Sequence, residues 1–593
     1  MTTIHRSPIL VCVNLAVLFL AISGHTVADE TLERRANAEL ARGGVTVLRQ
    51  YCSKCHGPDV DSSGSNLDVT NVASLVESGF LDLKNPDDSP LWQRMLAGEM
   101  PPLGEPQPSV AEGAILRKWI GAGAPTPERS ERKHVTNNDI LAAILADLQS
   151  LTPGQRTDRR YFTLANIANH PQIDDAELRL HAAALSKALN SLSRSDELVI
   201  PTAIDATGTV FAINIRKLGW TDEMWQAICA AYPYGLHHRQ VRNEQQRQLA
   251  LQISELVSEP HRDSLIALRA DWFIVTATRP PLYHLLLDIP ATLTELEQRI
   301  GVNAHQNFID NKLMRAGFAE SGVSVANRAV EWHAADWGYY WKSFDFLKDR
   351  TEGNLFQRPL GPKSDRNPFN DFAFTHDGGE MFFSLPNGLQ GYMLTDAAGN
   401  RINEGPVTVV QDAARTAGGP IVVNGISCMN CHAHGTIPFR DTVRNGLGLF
   451  GNARLKVLSL FPAQERLDQQ LQASSVQFMT ALTTVLEPFL IDESEAGRSI
   501  ADFPEPIGVV ARRYHANVGL AEATVELGIA DPQQLSTTIV ASPVLKSLGL
   551  GPLSEGRSVD RSFWQSRRDI VSPMQLFARE LDLGTPVNVL PPE

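Results

Sequence analysis

Apolar positions recur at helical spacing through "ETLERRANAELARGGVTVLRQ" (residues 30–50), which predicts a helix running straight into a short cysteine-bearing segment. A polar loop follows, "GPDVDSSGSNLD". Next come the helix-like "PLWQRMLAGEM", a proline-rich turn "PPLGEPQPS", and a closing helix "VAEGAILRKWIGAGAPTP" that stops at glycine and proline. The order helix, loop, helix, loop, helix over residues 30–130 has the dimensions of one small all-α domain.

Residues 135–330 mix two periods. Amphipathic helices are read from "DDAELRLHAAALSKALNSLS", "EQQRQLALQISELV" and "ATLTELEQRIGV", and a hairpin from "VIPTAIDATGTVFAINI", where Ala206-Thr207-Gly208 separates two β-branched runs. At Trp332 the texture changes to the most aromatic stretch of the chain, "WHAADWGYYWKSFDF". Then "GGEMFFSLPNGLQGYMLTDAAGNRI" alternates about turn signals at Pro386-Asn387-Gly388 and Ala398-Gly399-Asn400, a β-meander. The rest reads as helices and proline-rich loops. The expected fold is α+β and multidomain: an all-α domain over 30–130, a mixed α/β region over 135–330, a meander module over 331–490 and a helical region over 491–593.

The N-terminus adds a compartment. Arg6 precedes an apolar run from Ile9 to Ile22, and Thr26-Val27-Ala28 precedes an acidic start, which is the pattern of a secretory signal (1–28) cleaved after Ala28. The run is too short and interrupted for a comfortable membrane span, with an uncleaved anchor as the alternative. The mature chain is therefore expected to be exported, periplasmic or beyond, without a stable membrane span. Losing Arg6 and no acid moves the formal charge from −14 to −15. That disfavours nucleic acid and allows a basic partner protein.

Six cysteines then change the picture. Residues 52–56 read "CSKCH" and residues 428–432 read "CMNCH", whereas random placement at this composition gives about 0.002 copies of Cys-x-x-Cys-His. Two thiols three positions apart lie on one helical turn and can add to the two vinyl groups of a haem, with the next histidine under the iron. Cys52, Cys55, Cys428 and Cys431 are thus candidate thioether sulfurs, and His56 and His432 candidate iron ligands, implying two covalent haem c groups. A zinc half-site or redox dithiol fits less well, because neither pair has a second suitably spaced pair nearby. Cleavage leaves Cys229 without a partner, a buried thiol.

These residues carry a resemblance. Residues 45–125, with "YCSKCHGPD", "LWQRMLAGEMPP" and "LRKWIGAGAP", resemble the planctomycete-type cytochrome c domain, in which a Met-Pro-Pro loop supplies the second axial ligand. Residues 160–435, with "HDGGEMFFSLPNGLQGYMLTDAAGNRI" and "VVNGISCMNCHAHG", resemble a group of large exported cytochrome c proteins, a likeness that carries fold more than function. Cys52 and Cys428 stand 376 residues apart, far wider than the motifs of di-haem peroxidases.

Met100, 44 residues after His56, is the expected distal ligand of the first haem, with a core methionine as the alternative. For the second, the candidates are His376, Met393, Met479 and His333, or an empty position. His376 is favoured because "THDGGE" is a glycine-rich turn entering the meander. His434, two residues from His432, is expected on the proximal side near a propionate. The segment Trp332–Phe346 is read as core, with His333, Asp336 and Lys342 as its polar positions to test, and Asp377 and Glu380 as acids beside His376. Three functions follow: an exported di-haem c-type cytochrome that transfers electrons; a di-haem redox enzyme, peroxidase-like or oxygenase-like, with an open second haem; or a recognition module with accessory haems.

Overall fold

The computed structural model describes residues 36–48, 51–52, 56, 69, 71–102, 107–126, 131–257, 265–321, 324–346, 354–408, 410–445, 449–492, 495–567 and 571–591. The expected leader and Cys55 lie outside the described residues. The chain divides into two compact units: residues 1–131 with Gly551–Ser558, and Arg132–Leu550 with Val559–Glu593. Among the described residues no helix is long and apolar enough to cross a membrane.

The described α-helices of the segment up to residue 131 span 36–48, Val72–Glu77, Pro90–Leu96 and Val110–Gly121. Val110–Gly121 starts on a capping box, with the Ser109 and Glu112 side chains each accepting from the other's backbone N–H. Its Leu116, Trp119 and Ile120 pack with Val45, Leu48 and Leu75. Gly44 stands inside the first helix because a Cβ there would lie 2.2 Å from the Trp119 ring.

The larger unit holds two principal sheets. In the first, β1 (Arg159–Thr163), β2 (Thr202–Ala203), β3 (Val210–Asn214) and β4 (Leu268–Arg269) are ordered β2-β3-β1-β4. The hairpin expected about Ala206-Thr207-Gly208 is β2 and β3. The helix Asp175–Ser191 is buried along most of its length and touches both the long helix Gln464–Leu490 and the helix Pro506–Tyr514.

The second sheet is an antiparallel meander of six strands in chain order. They are β5 (Met314–Ser321), β6 (Ser324–Ala335), β7 (Gly338–Asp345), β8 (Gly378–Ser384), β9 (Gln390–Asp396) and β10 (Arg401–Ile402). It starts at Met314, ahead of the aromatic segment where the change of texture suggests it should begin. That segment is the β6–β7 hairpin. Both of its faces are covered, so buried aromatic and buried polar side chains share the strands and the simple alternation of a half-exposed sheet is lost. On one face Val330 and Trp341 meet Leu467 and Leu471 of the long helix; on the other Ala329 and Phe344 meet Phe308, Leu360 and Phe374.

The second face also buries charge. Arg315 pairs with Glu331 at 2.7 Å, and Lys342 lies 2.9 Å from Glu297 and 3.7 Å from Glu331. Burial opposes ionisation of Glu331, but the charges of Arg315 and Lys342 outweigh it and bring its pKa down to about 2. A separate buried network joins the C-terminal helices to the first sheet, through Glu526 bonded to Arg269 (2.6 Å), Arg561 (2.7 Å) and Trp564 (2.8 Å).

Candidate functional site: the cavity beside the second cysteine motif

The short strand Val422–Val423 delivers the chain to Gly425. There φ is +87°, and a Cβ would lie 2.4 Å from the Thr278 carbonyl oxygen, so only glycine fits. The helix Ile426–Cys431 starts at once, and its first turn is held by Ser427, whose Oγ donates to Asp412 (2.8 Å) and accepts from the Val423 N–H (3.1 Å). His432 N–H donates to the Cys428 carbonyl at 2.8 Å, placing both cysteines and the histidine on one helical turn. A second glycine, Gly435 at φ +91°, turns the chain back beneath Phe478.

That turn orients the imidazole. The Gly435 carbonyl lies 3.1 Å from His432 Nδ1, so a proton on Nδ1 is satisfied and the Nε2 lone pair is left available. Phe382 and Tyr392 pack against the ring at 4.9 and 5.7 Å between centroids. Nε2 faces Glu380, with Oε1 at 3.7 Å. Burial opposes ionisation of Glu380; when His432 Nε2 carries a proton, that imidazolium, the Arg328 charge and a contact from Cys428 outweigh burial and lower the Glu380 pKa to about 2. Burial raises the Cys428 thiol well above its ordinary value and pushes Cys431 up to about 12, so both sulfurs are protonated thiols at neutral pH.

A cavity of about 770 Å³ opens beside these groups. Apolar wall comes from Phe318, Val330, Trp341, Phe382, Leu394 and Val410, and cationic wall from Arg328, Lys342 and Arg440. Arg328 Nε lies 2.7 Å from Asp345, while its Nη1 is 3.9 Å from Glu380. The parts fit a covalently bound haem: two thiols and an oriented imidazole at one wall, apolar surface for a flat macrocycle, and arginines for carboxylate groups. Among the described residues no cluster of three or more His, Cys, Asp or Glu is arranged to hold a metal ion by itself.

The first motif repeats the turn. His56 N–H donates to the Cys52 carbonyl at 2.9 Å, and the His56 carbonyl accepts from Val69 N–H at 2.7 Å. Burial and then the charge of Arg94 lower the His56 pKa. Arg94 belongs to the helix that leads into the Met100 loop, and its carbonyl accepts the Met100 N–H at 3.2 Å. Thus the structure brings His56 and the stem of the Met100 loop to the same part of this unit.

The residues expected at the second iron are not brought together. His376 precedes β8 and packs edge-on against Phe344 (5.0 Å between centroids), whose side chain belongs to the opposite face, and it does not line the cavity. Met393 is buried in register with Met381 on that same opposite face. His333 is fully buried there too, with Asn307 at 3.1 Å from Nδ1. Met479 is half-buried on the long helix and lines no part of the cavity, and His434 is exposed. Lys342 lines the cavity with its ammonium group paired to Glu297, and Asp336 sits exposed in the β6–β7 turn. Asp377 and Glu380 do line the cavity, together with Arg328 and Asp345, which sequence reasoning missed. The usable signal is parity: Glu380 and Phe382 share a face of β8, and Arg328, Asp345 and Gly378 are register partners across three strands.

Residues 52–104 match the family model for planctomycete cytochrome C. No curated protein and no solved structure matches the chain. The family match supports a cytochrome c-type domain in the N-terminal segment, and with it a haem c protein; it ends long before the second motif.

Proposed function

We propose that the protein is an exported di-haem c-type cytochrome that transfers electrons. The first haem is held within 30–130 by Cys52, Cys55 and His56 with Met100 opposite, and the second within 331–490 by Cys428, Cys431 and His432. Regions 135–330 and 491–593 are haem-free scaffold, and the acidic chain meets a basic redox partner. The observation that carries this reading is the cavity of about 770 Å³ at the second motif, whose thiols and imidazole lie on the same kind of turn as Cys52 and His56. When bound, each haem supplies a one-electron couple. The chain's part is to orient the imidazoles and exclude water. Intact mass of the exported protein tests it: a chain starting at Asp29 with two haems is expected, and one haem or none refutes it.

A specific observation favours a redox enzyme as the second reading. Among the described residues the cavity is lined by no methionine and no histidine other than His432, but by Asp377, Glu380 and Glu404. An iron held there by His432 alone keeps an open position. A carrier with two saturated irons is low-spin throughout. A high-spin haem that takes up carbon monoxide, and does so equally after His376→Ala, selects the enzyme.

A further inference from the structure

The helix Gly451–Leu460 is apolar on both of its faces. Ala453, Val457 and Leu460 point into the core with Phe344 and Phe374, yet Leu455 and Leu458 point outward, 67% and 37% exposed. Phe450 stands at the N-cap, 87% exposed and making no side-chain cap bond, at a position where serine or aspartate would serve the helix better. A surface helix ordinarily turns polar residues to water, so this outer face is built to be covered.

Cations frame it. Arg444 donates to the carbonyls of Leu458 and Phe461 at the C-terminal end of the helix, and Arg454 donates to the Arg444 carbonyl at 3.3 Å. Arg440 is exposed four residues before Arg444 and also lines the cavity beside Cys428. Among the described residues none of these three guanidinium groups is paired with a carboxylate. The one acid in residues 440–455, Asp441, is turned onto the backbone N–H groups of Gly317 (2.8 Å) and Arg444 (2.9 Å).

We infer that this face is a peripheral membrane-binding surface: Phe450, Leu455 and Leu458 enter the headgroup region of an anionic bilayer while Arg440, Arg444 and Arg454 meet its phosphates. Unpaired arginines call for an anionic cover, and apolar side chains that stand out from a helix are accepted by a fluid bilayer without a complementary pocket. A second copy docked symmetrically would set the same arginines against each other. The net charge of −14 opposes approach to anionic lipid, but that field is screened beyond about 8 Å at physiological salt, so the local cations decide at contact. No described helix can cross a membrane, so the attachment is to its surface. It holds whether or not the second motif carries haem.

The test sediments the purified, full-length protein with vesicles of phosphatidylcholine alone and of phosphatidylcholine mixed with phosphatidylglycerol. Binding is expected to the mixed vesicles only, and it should be lost at about 1 M salt, where the screening length falls to about 3 Å. Phe450→Ser should weaken it at least about fivefold, and Arg454→Gln about fivefold. Serine is the better N-cap, so the first variant folds at least as stably and its lost binding is not a lost fold. Val540→Ser, which removes an exposed apolar side chain elsewhere, should leave binding unchanged. No binding to the mixed vesicles overturns the inference, as does binding that Phe450→Ser leaves intact. Capture by poly-L-glutamate without vesicle binding also overturns it and assigns the face to an acidic protein.

Discussion

Glu526 offers the sharpest test of how the C-terminal helices are held. Its carboxylate bonds Arg269 at 2.6 Å and Arg561 at 2.7 Å and accepts from Trp564 Nε1 at 2.8 Å, with all three charged side chains at most 7% exposed. The network is balanced, two guanidinium groups against Glu526 and Asp271. Glu526→Gln keeps the shape and the Trp564 bond but removes one negative charge. Arg269 retains Asp271 at 2.5 Å. Arg561 keeps the face of the Tyr514 ring, 4.8 Å away, and the more distant charge of Asp271 as electrostatic compensation. A unit-charge pair about 4 Å apart is worth about 4 kcal/mol at an effective dielectric of about 20, and breaking one side of a buried pair costs about 3–5 kcal/mol. Urea unfolding followed by far-ultraviolet circular dichroism should show a loss in that range, and limited proteolysis should cut earlier within residues 495–567. The double variant Glu526→Leu with Arg561→Met removes both charges and should recover most of the loss. A glutamine variant that loses less than about 1 kcal/mol, or a double variant as damaged as the single, would refute the reasoning.

Three further outcomes are expected. Met100→Ala removes the near-infrared charge-transfer band of methionine-ligated ferric haem and lowers one midpoint potential; a surviving band assigns that ligand elsewhere. Gly425→Ala forces a Cβ to 2.4 Å from the Thr278 oxygen at φ +87°, a strain of about 1–3 kcal/mol at the start of the motif helix, so intact mass should show the second haem partly missing and the first retained. Stability should fall as pH drops from about 6.5 toward 4, because burial lowers the His333 pKa to about 4 while the unfolded imidazole binds a proton near 6.5. That contribution, up to about 3 kcal/mol, is complete above 6.5 and lost on acidification; His333→Gln should flatten the dependence of the urea midpoint over that window.

Much of the fold is legible in local pattern. The hairpin at Ala206-Thr207-Gly208, the turns at Gly388 and Gly399 and the capping box at Ser109 follow from φ requirements and side-chain reach, which act within a few residues and are therefore written along the chain. The Cys428–His432 turn is of the same kind, since one helical turn brings its two thiols and the histidine together. The start of the meander at Met314 is not legible. β5 and β6 are buried partly by the Gln464–Leu490 helix, and a strand covered on both faces loses its period-2 signature. The surroundings of His432 were decided later still. His376 sits close to Glu380 in the chain, yet the turn into β8 sends its ring to Phe344 on the far face, while strand parity aims Glu380 at His432 and register brings Arg328 and Asp345 alongside. Short-range chemistry thus brought Cys428, Cys431 and His432 onto one turn, whereas the groups that face His432 were chosen by cross-strand pairing between segments up to about forty residues apart, whose alternatives differ only in which face is buried.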